Sequence, residues 1–592
     1  MVLPIFPLIS PDLFATGCIV ASLETTWKST MFGLKNIFER KPEHPMGSVR
    51  EARKLLAELP VDDAHKAFEE ITFWLGSAQD AEGHALKERV EVIGLLDEAA
   101  RGYQRTLSQG YLAASRMHKL QENRLWLAAS EFWKRLAAAY LLCIDEFESG
   151  AKGAEQIRDD LPVIAVRAMA ALGAQNKWLH LRYRVADQRI WGDIGRLFLF
   201  AEAKLFVRSL VMPYADGGVH TSVQQELLKI LMLEASSPDR LAPAQIELAD
   251  KLAAHLVSSF VFGEALEECS YCFDLSARKP PARLVKGDRL DAMKRVFGAG
   301  AAPQKLELLL QQVETGSAPG LALGESVRPQ ELLDLLHHLL QNWSQHPPQR
   351  KYERKKLVSR LSVVHGISEI RRKIAGSESV AQPSLLENRD LFYQERADLK
   401  LYGFVTEKTR RAMAEGLAKA AEARQETHAE GAESWVMENV SECGYGAVIP
   451  QLAEDWVKLG ALLGLRSEDG SQWGVGVVRR LSRDARMKVY VGIETLAHVP
   501  VSVRLRALTG SVSVWDKLSE AEAREYTYAL LLPGSDHCLK QDSLLLEPGA
   551  FDADKPCELV VGGERRLINL TGMLERGDDF ELVGFSEMPP PA

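Results

Sequence analysis

The sequence changes its hydrophobic periodicity sharply at the segment from Ser344 to Gln349, and this change divides the chain. Before it, over residues 48–343, apolar residues recur at three- and four-residue steps with charged residues between them, which is typical of amphipathic helices. After it, short alternating runs separated by turn residues predominate, which is typical of antiparallel strands. Pro347 and Pro348 lie inside the segment, and consecutive prolines cannot continue a helix. We therefore predict a linker over residues 344–349 between a helical half and a β-rich half.

The helical half, residues 48–343, is expected to be an all-α, solenoid-like array of consecutive helices. One face of a helix carries the stripe Trp126, Ala129, Trp133, Leu136, Tyr140 and Cys143. Core packing between neighbouring helices is the preferred interpretation of such a stripe, ahead of a cofactor site. Ser222 with Gln225 fits a capping box, and Pro243 fits the first turn of a helix. No fixed repeat period identifies a repeat family, but helical arrays usually bind other proteins, so we predict a protein partner for this half.

The β-rich half is predicted to contain two small β-units. Alternating runs at 435–437, 445–449, 459–465, 473–480, 488–493 and 501–508 predict an antiparallel barrel over residues 350–510. Residues 371–434 interrupt it as a polar insertion with an Ala-rich helical candidate at 407–424. Five further runs predict a second small β-unit over residues 511–592. The predicted fold class is therefore multidomain α + β.

Length, charge and cysteine content restrict the classes of protein that remain. A chain of 592 residues is too long for one hydrophobic core. The net charge of −9 argues against DNA binding, which needs a surplus of basic residues. Seven scattered cysteines indicate reduced thiols and a cytoplasmic location rather than a disulfide framework. Cys269 and Cys272 form a CxxC, but the sequence around them suggests helix and offers no second pair, so we predict no metal there.

The N-terminal segment is expected to be dispensable. No Lys or Arg precedes Lys28, so the basic start of a signal peptide is missing. No run of about 20 apolar residues occurs later, so no membrane insertion is predicted. Met31 opens a more typical amphipathic beginning, which leaves residues 1–30 as a possible over-extended start. We treat residues 1–47 as an N-terminal extension.

Directly after the linker, Arg350 and Arg354 form a cationic loop. More positive charge follows at Lys355, Lys356 and Arg360, and then an apolar run predicts a strand. A charge run is usually a solvated face. A planar guanidinium, however, donates paired hydrogen bonds to phosphate or to the O6/N7 edge of guanine, and its face stacks on a purine. A loop that carries two of them could fold over an anionic ligand and become ordered on binding.

A second motif follows 85 residues after Arg354, where Asn439, Ser441 and Gly444 make an Asn-x-Ser-x-x-Gly pattern. An arginine pair followed by this pattern in a β-barrel context resembles the PilZ domains, which bind cyclic di-GMP. The resemblance covers roughly residues 346–510. It implies that Arg350 and Arg354 clamp the ligand while Asn439, Ser441 and Gly444 form the opposite wall of the site. Asn439 and Ser441 alternate and should share one face of a strand.

The spacing between the two motifs departs from the PilZ pattern, in which a few tens of residues separate them. The closure entropy of a loop rises by only about 0.6 kcal/mol for each doubling of its length, so the insertion does not exclude a shared site. Arg479 and Arg480 follow on a later strand. One of them could assist with a phosphate, although a surface charge is the preferred interpretation.

The sequence thus predicts a cytoplasmic bacterial receptor for cyclic di-GMP that transmits the signal to a protein partner through its helical half. The alternative is a helical interaction scaffold whose PilZ-like barrel no longer binds nucleotide. An enzyme is disfavoured because the acidic and His residues show no catalytic spacing, and no catalytic residue, metal ligand or cofactor is predicted.

Overall fold

The computed structural model describes most of the chain between Met46 and Met588. The described residues are 46, 48–80, 85–113, 119–215, 218–263, 269–285, 287, 290–316, 328–348, 352–381, 431–449, 456–468, 470, 472–508, 526–535, 538–553 and 556–588. They contain eleven α-helices and sixteen strands. The predicted fold class is confirmed: a helical region precedes two closed antiparallel barrels. The limits of independently folding units stay predictions.

Eight helices build the first part of the helical region. They are α1 (Val49–Ala57), α2 (Ala64–Asp80), α3 (Leu86–Ala113), α4 (Lys119–Glu148), α5 (Leu161–His180), α6 (Gln188–Ala203), α7 (Val223–Ala235) and α8 (Pro243–Leu256). Local signals explain several of their starts. The Ser222 hydroxyl accepts a hydrogen bond from the Gln225 amide at 3.3 Å. Within the described residues the Gln225 side-chain oxygen has no hydrogen-bond partner, so only half of the predicted capping box forms. Pro243 opens α8, as the sequence predicts.

The aromatic stripe of α4 is part of the helical core. Trp126, Tyr140 and Cys143 are buried, and Trp133 is partly buried against the same cluster. The Trp126 indole donates a hydrogen bond to the carbonyl of Trp178 at 2.7 Å. Burying a large apolar side chain stabilises a fold by about 1.5–3 kcal/mol, so the stripe has a structural role, as predicted.

A four-stranded sheet interrupts the helical region, and here the sequence prediction is wrong. Its strands are β1 (Val261–Gly263), β2 (Tyr271–Asp274), β3 (Ala282–Arg283) and β4 (Lys294–Gly298), in the order β1-β4-β2-β3. Cys272 therefore lies in a strand, not in a helix. Within β2, Tyr271 and Phe273 are buried while their neighbours are half-buried, and so short an alternating run is hard to distinguish from a helix segment. Two helices, α9 (Ala302–Glu314) and α10 (Pro329–Asn342), complete the region.

The first barrel closes in the order β10-β7-β6-β5-β8-β9. Its strands are β5 (Lys355–His365), β6 (Glu433–Ser441), β7 (Gly444–Ile449), β8 (Leu462–Ser467), β9 (Gly474–Arg483) and β10 (Val489–Ala497). Every strand contributes apolar side chains to one interior cluster, among them Trp435 and Val491. Helix α11 (Ile367–Ala381) follows β5. The rest of the predicted insertion up to residue 430, with the helical candidate at 407–424, lies outside the described residues.

The second barrel closes in the order β11-β12-β13-β16-β15-β14. Its strands are β11 (Val501–Ala507), β12 (Thr527–Leu532), β13 (Ser543–Leu546), β14 (Pro556–Val561), β15 (Glu564–Arg576) and β16 (Glu581–Glu587). The run at 501–508 is predicted to belong to the first barrel, and this is wrong, because β11 pairs with β12 and β14 of the second barrel. Alternation reveals a strand and its two faces, not its partners.

The two barrels pack against each other through a shared apolar cluster. It joins Val475 and Val477 of β9 to Leu530 and Leu532 of β12, and α11 contributes Ile370. At the edge of this interface the Arg479 guanidinium donates to Glu494 at 2.7 Å within the first barrel and to Glu575 of the second barrel at 2.6 Å. The barrels therefore have a defined relative position.

The helical region contacts the first barrel along β9. The Arg483 amide donates to the Tyr183 carbonyl at 2.6 Å, and the Val185 amide donates to the Arg483 carbonyl at 3.1 Å. Arg480 forms an ion pair with Asp239, which follows α7. Among the described residues, no helix combines the length and apolarity needed to cross a bilayer.

Candidate functional site

The β5–β6 pairing brings the two sequence motifs side by side. Lys355 pairs with Val440 and Lys356 with Asn439 in antiparallel register. Arg354 immediately precedes Lys355 and is exposed, so it enters the strand next to the one that carries Asn439 and Ser441. Although Arg354 and Asn439 are 85 positions apart in sequence, the two motifs are adjacent in space. Arg350 lies outside the described residues.

A direct contact also joins the arginine loop to the second motif. The Tyr352 side chain, which lies between the two arginines in sequence, shares a hydrogen bond with Cys443, the residue before Gly444. Partial burial and the nearby Cys443 raise the pKa of the Tyr352 phenol, so it stays neutral near neutral pH. Tyr352 therefore anchors the loop to the β6–β7 hairpin.

Asn439 lies on the outer face of the barrel. Met437 and Val440 both pack on the interior cluster, because a register shift between Met437 and Asn439 changes the face of the strand. Asn439 and Ser441 therefore lie on one face, as predicted, and it is the outer face. Asn439 pairs with Gly446, Gly446 pairs with Gly492, and Gly492 pairs with Arg480. Asn439, Gly446, Gly492 and Arg480 thus form a row across the strands β6, β7, β10 and β9.

Gly446, the cross-strand partner of Asn439, leaves room for the Asn439 side chain to lie against the sheet. A Cβ on Gly446 would lie 2.5 Å from both the Oδ1 and the Nδ2 of Asn439. Within the described part of the chain, the buried Oδ1 of Asn439 accepts no hydrogen bond. A buried polar atom without a partner costs about 1–3 kcal/mol, which a ligand that donates to it would recover.

Ser441 and Gly444 close the β6–β7 hairpin. The Ser441 hydroxyl donates to the Gly444 carbonyl at 3.3 Å. A Cβ on Gly444 would lie 2.5 Å from the Ile493 carbonyl oxygen, so this position has no space for a larger residue. The glycine of the motif therefore allows β7 to approach β10 closely, a structural role that exists without any ligand.

The two arginines of β9 already have acidic partners. Arg479 bridges the two barrels, and the acidic groups of Glu575 and Glu494 raise its pKa against the effect of burial. Arg480 is half exposed and pairs with Asp239 of the helical region. Of the two, Arg480 lies at the end of the row that starts with Asn439.

A polar cavity of about 340 Å³ opens at one end of the first barrel. Its lining includes Tyr445, Gly474, Thr495 and His498. Tyr445 and Leu465 of this lining pack on the interior cluster, Gln472 and His498 are exposed, and Asn439 does not line the cavity. The two features are distinct.

Within the described segments, no group of three or more His, Cys, Asp or Glu side chains is arranged to hold a metal ion.

Sequence reasoning missed Tyr352, Gly446 and Gly492. Tyr352 lies between the two arginines, and Gly446 follows the second motif by two residues, so proximity to the motifs was the available signal.

Comparison with known families yields two matches. Residues 50–265 match the family described as "Cyclic-di-GMP receptor FimW, N-terminal domain". Residues 300–500 match "Cyclic-di-GMP receptor FimW, middle PilZ domain". Together the matches cover well over half of the chain and include the helical region and the first barrel. No curated protein shows a significant match to the sequence.

Proposed function

Because the chain belongs to the FimW family of PilZ-domain cyclic di-GMP receptors, we propose that it binds cyclic di-GMP on the outer face of the first barrel. Arg350 and Arg354 clamp the ligand, and Asn439 and Ser441 form the wall behind it. The observation that carries the proposal is the β5–β6 register, which places Lys356 opposite Asn439 and so brings the arginine loop beside the second motif.

The chemistry of this face suits a cyclic dinucleotide. The ligand offers two phosphates, two guanine edges and two purine faces. Arginine forks bind phosphate and the guanine O6/N7 edge, and their planes stack on purines. The unpartnered Oδ1 of Asn439 accepts from an N–H of the guanine edge. The Asn439 amide covers Gly446, whereas Gly492 leaves the next position of the row without a side chain, so a purine approaches the backbone closely at Gly492.

The protein acts as a receptor, not as a catalyst, and needs no cofactor. The bound nucleotide orders the arginine loop, which follows the linker at residues 344–349, and this stiffens the junction between the helical region and the barrel. Asp239 of the helical region pairs with Arg480, the last residue of the row that starts with Asn439, and Tyr183 bonds Arg483 further along β9. Binding therefore changes how the helical region meets a protein partner. The cytoplasm, where cyclic di-GMP is made and where thiols stay reduced, is the compartment we propose.

Titration of the purified full chain with cyclic di-GMP by calorimetry tests the binding site. The Arg354→Ala variant is expected to bind at least about tenfold more weakly, because a charged hydrogen bond contributes about 1.5–3 kcal/mol. Arg53→Ala is the matched control, since Arg53 is an exposed arginine of α1. An Arg354→Ala variant that binds as tightly as the control would remove Arg354 from the site. Absence of any binding by the wild type would favour the scaffold alternative.

A further inference from the structure

Two thiols from different barrels meet beside the second motif. The Sγ atoms of Cys443 and Cys538 lie 3.3 Å apart, although the residues are separated by 95 positions in sequence. Cys443 lies in the turn between β6 and β7, directly before Gly444. Cys538 lies in the connection between β12 and β13 of the second barrel. Both thiols are half-buried, so a small oxidant can reach them.

Backbone hydrogen bonds hold both cysteines in place. The Cys443 carbonyl accepts from the Thr495 amide at 3.1 Å. The Cys538 amide donates to the Ser535 hydroxyl at 3.0 Å. The packing of the two barrels through their shared apolar cluster fixes the distance between these two turns. The thiol contact is therefore a consequence of how the barrels dock.

We propose that Cys443 and Cys538 form a reversible disulfide that links the second barrel to the nucleotide-binding motif. The S–S bond of a disulfide is about 2.05 Å long, so the two sulfur atoms need to approach by only about 1.2 Å. A metal site is the other common use of paired thiols, but within the described residues no third ligand accompanies this pair.

The oxidation requires hydrogen peroxide. Cys538 loses its proton and the thiolate attacks one peroxide oxygen; the O–O bond breaks, and the products are a sulfenic acid on Cys538 and hydroxide, which takes up the proton to form water. The Cys443 sulfur then attacks the Cys538 sulfur and loses its proton, and the S–O bond breaks with release of water. Two thiols are oxidised and one peroxide is reduced to two waters. Burial and the contact with Cys538 raise the pKa of the Cys443 thiol to about 12, so Cys443 enters the second step as a protonated thiol.

The disulfide would lower the affinity for cyclic di-GMP, an effect that rests on the proposed function. The Cys443 thiol shares a hydrogen bond with Tyr352, and Tyr352 lies between the two clamping arginines. The Tyr352 phenol donates this bond to the Cys443 sulfur, and in the disulfide that sulfur turns toward Cys538 and away from the phenol. The loop then loses its anchor in the hairpin, which weakens binding by about three- to tenfold, the effect of one typical hydrogen bond.

Peptide mapping of the full chain without reductant, before and after treatment with hydrogen peroxide, tests the link. A peptide pair joined through Cys443 and Cys538 is expected in the wild type and in Cys557→Ser, a control at a buried cysteine of the second barrel. The pair must be absent from Cys538→Ser and must disappear on reduction. Oxidised protein in which Cys443 and Cys538 are not joined overturns the proposal.

Affinity measured on the same samples separates the two proposals. The oxidised wild type is expected to bind cyclic di-GMP about three- to tenfold more weakly than the reduced wild type, with recovery on reduction. Oxidised Cys538→Ser should bind like its reduced form. Equal affinity of linked and reduced wild type overturns the regulatory effect. If the reduced wild type binds no cyclic di-GMP, the proposed function fails, and the mapping alone decides whether the disulfide exists.

Discussion

The substitution Gly446→Ala tests whether the outer face of β7 forms part of the ligand site. The added Cβ would lie 2.5 Å from the Oδ1 and Nδ2 of Asn439 and 2.7 Å from its Cγ. Non-bonded heavy atoms need about 3.5 Å, so the amide must move by about 1 Å. The far end of a side chain can make this movement, because rotation to an off-rotamer position costs about 0.5–1.5 kcal/mol. The barrel should therefore still fold.

The displaced amide no longer meets the guanine edge. Loss of one hydrogen bond costs about 0.5–1.5 kcal/mol, so we expect Gly446→Ala to weaken cyclic di-GMP binding by about two- to tenfold, as does Asn439→Ala. The double variant should bind no more weakly than Asn439→Ala, because the two changes remove the same contact. Calorimetric titration of all four proteins measures this coupling.

The control for this set of variants is Gly572→Ala. Gly572 lies in β15 of the second barrel, and a Cβ there would meet no heavy atom within 4 Å. This variant should bind cyclic di-GMP with unchanged affinity. If the losses of binding free energy caused by Gly446→Ala and Asn439→Ala add in full in the double variant, Gly446→Ala does not act through the amide of Asn439. If Gly446→Ala binds like the wild type, the amide of Asn439 does not contact the ligand.

Two further changes test the helical region. Asp239→Asn should loosen the contact between the helical region and the first barrel, because the variant loses the ion pair with Arg480. Limited proteolysis should then cut the linker at residues 344–349 faster than in the wild type. An unchanged rate of cleavage would contradict this. Burial opposes charge on His180, but Glu234 raises the pKa of the imidazole. The ion pair of His180 with Glu234 therefore stabilises the folded state fully at pH values below the unfolded His pKa of about 6.5. This stabilisation is lost as the pH rises through the raised pKa of His180 in the folded state. The wild-type melting temperature should therefore fall relative to Glu234→Gln as pH rises above about 6.5; parallel melting curves would refute the linkage.

Much of the fold follows from local patterns. The run at 445–449 predicted β7 to within one residue, and Ser222 and Pro243 marked the starts of two helices. These features depend on caps and on alternation within one element, which a single sequence records. The strand β2 was missed because four residues contain too few alternations to exclude a helix.

Partners in space were harder to predict than elements. β11 has the same alternating pattern as its neighbours, yet its partners are in the second barrel. The contact between Cys443 and Cys538 joins two turns of different barrels, and no local pattern marks it. Both depend on how the barrels close and dock, which the sequence determines only through the whole packed core.

The candidate site was predicted in part. Arg354, Asn439, Ser441 and Gly444 were named from the two motifs, and the structure places these motifs on adjacent strands. Their roles toward a ligand stay predictions. The structure adds a role that the motif does not reveal, since Gly444 makes room for the Ile493 carbonyl. A glycine in this motif would therefore be needed even in a barrel that binds nothing.

Hydrogen exchange of the full chain with and without saturating cyclic di-GMP tests the proposed site most directly. Peptides within residues 352–365 and 433–449 should exchange more slowly with the ligand, because they carry the arginine loop and the β6–β7 hairpin. Peptides within residues 556–576 of the second barrel should be unaffected. Protection confined to the helical region or to the second barrel, with none at the hairpin, would contradict binding on the outer face of the first barrel.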